Sequence, residues 1–191
     1  MKSIVCLASL FYILCAPGPP SVFARAQQGR ISEDPTKPST QDASFVFQKI
    51  GPTLRHKSRV PLRLPSFLPN VDKKHPIYAI VESTNSAKYE ILLAVVLPCE
   101  GQNNCIYGSI QGSASPSDFY TDVEAAITPV ELLGGIKGHF IESVCHTYCN
   151  QGYVRWSENN FYYSVGIKAG TKEELVKVAN SAIATGHTER H

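Results

Sequence analysis

The hydrophobic pattern changes period along the chain, and each change marks an element. Over 77–82 and 88–96 apolar side chains recur at every second position, as in strands. In the second run Tyr89, Ile91, Leu93 and Val95 fall on one face. The polar stretch 83–86 between the runs reads as a hairpin turn. Further strands are expected over 106–111, 128–130 and 136–144, with a polar loop over 113–117. Gly134, Gly135 and Gly138 mark a bend or bulge near the last of them. Residues 153–157 and 161–167 read as a second hairpin across Glu158, Asn159 and Asn160. By alternation Val154 and Trp156 share one face, and Phe161, Tyr163 and Val165 share another.

The period then lengthens. Leu175, Val178, Ala179, Ala182 and Ile183 recur at helical spacing. Thr171 and Glu174 form a capping-box pair ahead of them, and Gly186 is a natural stop. The sum is an α+β domain. A mainly antiparallel, twisted sheet of about six to seven strands carries a C-terminal helix packed on one face.

The flanking segments have other patterns. Met1 and Lys2 precede an apolar run over 4–16 that is short for a membrane span but suits a signal-peptide core. Pro17, Pro19 and Pro20 break it, and Ala24-Arg25-Ala26 offers a small-x-small cleavage site. Residues 1–26 therefore read as a signal peptide, and the mature chain carries no apolar stretch long enough to cross a membrane. Residues 27–44 are polar and proline-rich, a flexible spacer by composition. A single globular domain follows over 45–185, long enough for one core, with a tail over 186–191. Within the domain, residues 60–69 alternate prolines with apolar residues. Proline lacks an N–H donor and biases its predecessor to extended backbone. An extended segment or edge strand is expected, with Leu62, Leu64, Phe67 and Leu68 packed inward.

Charge changes the picture only locally. The chain carries +2, and loss of Lys2 and Arg25 with the leader leaves zero. A neutral chain gives no bulk attraction to nucleic acid, so no nucleic-acid partner is expected. Yet 44–75 holds Lys49, Arg55, Lys57, Arg59, Arg63, Lys73 and Lys74 against Asp72 alone. Arg55, Lys57, Arg59 and Arg63 are candidates for docking on an anionic envelope surface.

Four cysteines remain after the leader. In an oxidising compartment they most simply form two disulfides, and the local pairing Cys99–Cys105 with Cys145–Cys149 needs no long-range assumption. The spacings are wrong for a zinc knuckle or a thioredoxin-like pair, so no metal or cofactor is expected. His56, His75, His139 and His146 accompany no nucleophile motif, and Glu124, Glu131 and Glu142 have the spacing of surface carboxylates. No catalytic residue is assigned. Trp156 and Tyr162 are the candidate ligand surface, because aromatic faces can stack on sugars or rings.

The Tyr-Val-Arg-Trp run at 153–156, the Tyr-Ser-Val-Gly-Ile run at 163–167, Glu174-Leu175 and Ala179-Asn180-Ser181 resemble the C-terminal part of a bacterial extracytoplasmic domain family of unknown function. That family occurs in lipoproteins, secreted proteins and membrane-anchored anti-sigma-like proteins. The Gly-Ile-Lys-Gly-His-Phe run at 135–140 and the Cys145/Cys149 pair look like a cyanobacterial group of exported proteins. The resemblance covers about a third of the chain, and implies a sheet-and-helix domain with no catalytic residue to transfer.

The expected function is that of an exported, periplasmic or extracellular, non-enzymatic domain that binds or senses a protein or small-molecule ligand. The alternatives are a hydrolase-type enzyme without a local motif, and an accessory protein docking through 44–75.

Overall fold

The computed structural model describes residues 43–70, 76–119 and 126–188. The expected leader, most of the spacer, His75, Lys73, Lys74 and Glu124 lie outside them. Seven antiparallel strands form one open sheet: β1 (Tyr78–Asn85), β2 (Lys88–Ala94), β3 (Ile106–Ser113), β4 (Ile127–Glu131), β5 (Lys137–Ile141), β6 (Gln151–Glu158) and β7 (Phe161–Lys168). Their order is β1-β2-β3-β7-β6-β5-β4. A short helix, α1 (Gly51–Lys57), precedes the sheet, and α2 (Lys172–Thr188) follows it. The α+β architecture with a C-terminal helix on the sheet is the one the pattern predicts.

The turns follow from local chemistry. Asn159 and Asn160 both take positive φ, 53° and 63°, and so close the β6–β7 hairpin in two residues. Asparagine tolerates that backbone better than most side-chain-bearing residues, and a turn of this hand matches strand twist. The β1–β2 turn is tighter than expected: β1 runs on to Asn85, whose Oδ1 accepts from the backbone N–H groups of Ala87 and Lys88. The capping box also forms. Glu174 Oε2 accepts from the Thr171 backbone N–H at 3.0 Å, and Thr171 Oγ1 accepts from the Glu174 N–H at 3.3 Å.

One sheet face builds the main core. Tyr89, Ile91 and Leu93 of β2, Ile110 of β3, Val154 and Trp156 of β6 and Tyr163 and Val165 of β7 all turn to it. The helix packs across β5, β6 and β7 with Leu175, Val178, Ala179, Ala182 and Ile183. Two details differ from the alternation read in sequence. Trp156 pairs with Tyr163 and Val154 with Val165, so the aromatic hairpin presents one apolar face and not two. The register slips between Leu93 and Ala94, which ends the alternation and leaves Val95 45% exposed.

The opposite face carries a smaller apolar cluster at one end, where Leu92 and Ala94 meet the disulfide-bonded Cys99 and Cys105. Cys145 and Cys149 form the second disulfide. The pairing registers put both stapled connections, β2–β3 and β5–β6, at the same end of the sheet. Lys168 Nζ ties that end together by donating to the Asn103 carbonyl at 2.6 Å.

Residues 43–70 close the β1 side of the core. A 3-10 turn, Ala43–Phe47, begins at the end of the expected spacer, and Ala43 is fully buried. Residues 60–69 join no strand. Leu62 and Leu68 are buried, and Leu64 and Phe67 pack against the core from its edge. With three prolines in ten residues this segment cannot supply a strand ladder. Side chains of α2 supply two of its hydrogen bonds instead: Ser181 Oγ accepts from the Phe67 N–H at 3.2 Å, and Thr185 Oγ1 donates to the Leu64 carbonyl at 2.6 Å.

Candidate functional site

The basic segment and the C-terminal end of α2 meet at one charged side chain. Arg63 is 2% exposed. Its Nε and Nη2 donate to the two carboxylate oxygens of Glu158 at 3.0 and 2.8 Å, a bidentate pair. Nη1 donates to the Leu62 carbonyl at 3.3 Å, and the guanidinium lies 5.5 Å from the centre of the Tyr163 ring. Its backbone N–H donates to Tyr89 Oη at 3.0 Å. Burial drives the Tyr89 phenol well above the ordinary tyrosine range, and it is a neutral acceptor there. One residue thus locks the proline-rich segment to β2, to the β6–β7 turn and to α2.

Gly186 explains how the guanidinium fits. Sequence marks this glycine as a helix stop, but α2 runs through it to Thr188. Its role is space: a Cβ there would collide with Arg63 Nη1 and sit 2.5 Å from Cζ. Residues 186–188, expected in the tail, belong to the helix. On an open helix Gly→Ala gains about 1 kcal/mol. Here Gly186→Ala should instead lower stability by about 1–3 kcal/mol, as overpacking does. The urea midpoint measures it, and an Arg63→Met background should reduce the loss. A raised midpoint would mean that the guanidinium does not press on this glycine.

A cleft opens beside this lock. One lobe, of 320 Å³, lies between α1, the proline-rich segment and the end of α2. Phe47, Leu62, Leu64 and Pro65 give it apolar walls, and Gln48 and Arg55 reach it from the α1 side. A second lobe of 240 Å³ runs on past Arg55, Arg59, Val60 and Pro61. The two share Arg55, Leu62 and Gly186. Pro52 near the start of α1 suits a first helical turn, where its missing N–H costs nothing. Helical spacing brings Arg55 back over Gly51. Residues 43–70 contain no acidic residue. Glu158 pairs with Arg63, and the exposed basic side chains on this border are Lys49, Arg55, Lys57 and Arg59.

Two of the residues expected at a site lie elsewhere. Arg63 is part of the core, so it cannot belong to a docking face with Arg55, Lys57 and Arg59. Trp156 is 4% exposed and stacks on Tyr163 with ring centres 5.4 Å apart, which removes it from any ligand surface. Tyr162 is partly exposed on the helix-free face, opposite Ser157 and Ser113. Sequence reasoning missed Phe47, Pro65, Thr185 and Gly186 as cleft residues. The signal was the absence of acid across 43–70, which leaves a buried arginine in need of a distant carboxylate.

The remaining titratable candidates are dispersed. His56 lies on α1, His139 on β5 and His146 in the second disulfide loop, all exposed. Glu131 bonds Lys137 Nζ at 2.8 Å on the surface, and this hydrogen bond and charge hold its carboxyl below the usual range. No group of His, Cys, Asp or Glu among the described residues is arranged to hold a metal ion.

No family model matches the chain, and neither a curated protein nor a solved structure is significantly similar to it.

Proposed function

We propose that this chain is an exported envelope or extracellular domain that binds a ligand in the cleft between α1, the proline-rich segment and the end of α2, without catalysing a reaction on it. The observation that carries this reading is a cleft with apolar walls and a basic border, set beside a rigid lock. The two disulfides suit an oxidising compartment. Among the described residues no helix is long and apolar enough to cross a membrane. The similarity to bacterial extracytoplasmic domains, on the motifs at 153–181, favours the same location. Dispersal of the histidines and carboxylates favours binding over acid–base chemistry.

Amide hydrogen exchange of the exported protein, with and without a small-molecule extract of the cell envelope, tests this reading. Added protection should fall on 44–65 and on the last turns of α2. Protection centred on Tyr162 would move the site to the helix-free face. Protection nowhere would remove the binding reading.

A further inference from the structure

The geometry points to a redox site at Cys145 and Cys149: the pair cycles between disulfide and dithiol in the folded protein, with a dithiol as reductant, while Cys99–Cys105 stays closed. This inference does not depend on the cleft. The two bridges differ in access. Cys99 and Cys105 are 9% and 3% exposed and pack with Leu92 and Ala94 in the smaller apolar cluster. Cys145 is exposed and Cys149 half-buried, and neither belongs to an apolar cluster among the described residues. Thiol–disulfide exchange requires a thiolate to reach one sulfur of the bond, so access separates labile bridges from inert ones.

The sheet is held without the second bridge. β6 pairs with β7 along its whole length, from Gln151 opposite Lys168 to Glu158 opposite Phe161, and with β5 from Tyr153 to Trp156. Backbone bonds close the neck of the β5–β6 loop. The Asn150 N–H donates to the Val144 carbonyl at 3.0 Å, and the Ala169 N–H donates to the Asn150 carbonyl at 3.2 Å. The disulfide ties what lies beyond that neck, a small ring whose cysteines are four positions apart. Opening it frees this ring and leaves the core packed. Tyr148, 67% exposed, lies inside the ring, so its freedom is what the redox state controls.

Exchange follows from the exposed sulfur. One thiolate of the dithiol attacks Sγ of Cys145, the more exposed cysteine, and forms a mixed disulfide. The Cys145–Cys149 bond breaks, and Cys149 leaves as a thiolate that takes a proton from solvent. The reductant's second thiolate then attacks the reductant's own sulfur in the mixed disulfide. That closes the reductant's disulfide and releases Cys145, which also takes a proton. Two electrons and, by way of solvent, two protons pass from the dithiol to the protein. A disulfide oxidant reverses the steps.

The test is timed treatment of the full, oxidised chain with dithiothreitol in the absence of denaturant. Free thiols are capped with iodoacetamide and mapped by peptide mass spectrometry. Cys145 and Cys149 should be capped at least about tenfold faster than Cys99 and Cys105. Circular dichroism should not change, amide exchange should quicken on 144–149 alone, and oxidised glutathione should re-close the bridge. Equal capping rates, or capping of Cys145 and Cys149 only where urea unfolds the chain, would make both bridges structural and overturn the inference. Quickened exchange in β5, β6 or α2 would also overturn it, because the bridge would then be holding the core, and so would failure to re-close. Cys149→Ser and Cys145→Ser test the route. The first, which keeps Cys145, should capture glutathione from its disulfide faster than the second; the reverse order would overturn attack at Cys145.

Discussion

Glu158→Ala should destabilise the fold by about 3–5 kcal/mol, the range for removing one member of a buried ion pair. The asymmetry of the pair sharpens the expectation. Arg63 has a side chain 2% exposed and Glu158 one that is 9% exposed. Losing Glu158 leaves a guanidinium fixed between Tyr163, Gly186 and the Leu62 carbonyl with no route to water. Losing Arg63 leaves a carboxylate at a hairpin turn that can rotate toward solvent. Arg63→Met should therefore cost less than Glu158→Ala, although both break the same contact. The double change Arg63→Met/Glu158→Leu should recover most of the loss, because apolar replacement of a buried pair is often neutral or stabilising. Urea unfolding of the three variants measures all of this. A loss below about 1 kcal/mol for Glu158→Ala, the value of a surface pair, would show that solvent reaches the guanidinium.

Tyr163 adds to the same lock. Its ring meets both the Arg63 guanidinium and the Trp156 indole. Rings stacked on a guanidinium gain a cation–π term only when the cation is held in place, and Glu158 is what holds it. The effects at these positions should couple, so single substitutions will not add.

The elements whose physics is local were legible in the sequence. β2 showed its face through Tyr89, Ile91 and Leu93, and α2 through its heptad-like apolar stripe and the Thr171–Glu174 cap. The disulfides followed from spacing and from the compartment expected of the leader. What escaped needed partners far along the chain. Nothing near 60–69 says that its backbone will bond to hydroxyls of Ser181 and Thr185, more than a hundred residues away. Arg63 looked like one member of a basic run because its carboxylate lies 95 residues downstream. Gly186 was ambiguous for the same reason: a glycine late in a helix reads as a stop unless the side chain that fills its missing Cβ is known. Val95 failed differently, through a register slip that binary alternation cannot contain. The candidate site, assembled from residues 44–65 and the distant end of α2, was legible only as an acid-free segment.

Trp156→Ala should cost about 3–5 kcal/mol, as large aromatic truncations in packed cores do. The side chain is 4% exposed, sits on the face covered by α2 and stacks on Tyr163 at an interplanar angle of 26°. No neighbour is placed to refill that volume without moving the helix. Trp156→Phe should behave differently. The indole Nε1 is buried and finds no hydrogen-bond partner among the described residues. Phenylalanine removes that unsatisfied donor, which offsets part of the lost contact, so the net change should stay within about 1 kcal/mol. Since this is the only tryptophan in the chain, circular dichroism and not fluorescence must follow the unfolding. The same variant separates two roles for the aromatic hairpin. With Trp156 in the core, Trp156→Phe folds normally and keeps the ligand-induced exchange protection expected on 44–65. If it keeps its stability and loses that protection, the aromatic hairpin, and not the cleft beside α1, is where this protein meets its ligand.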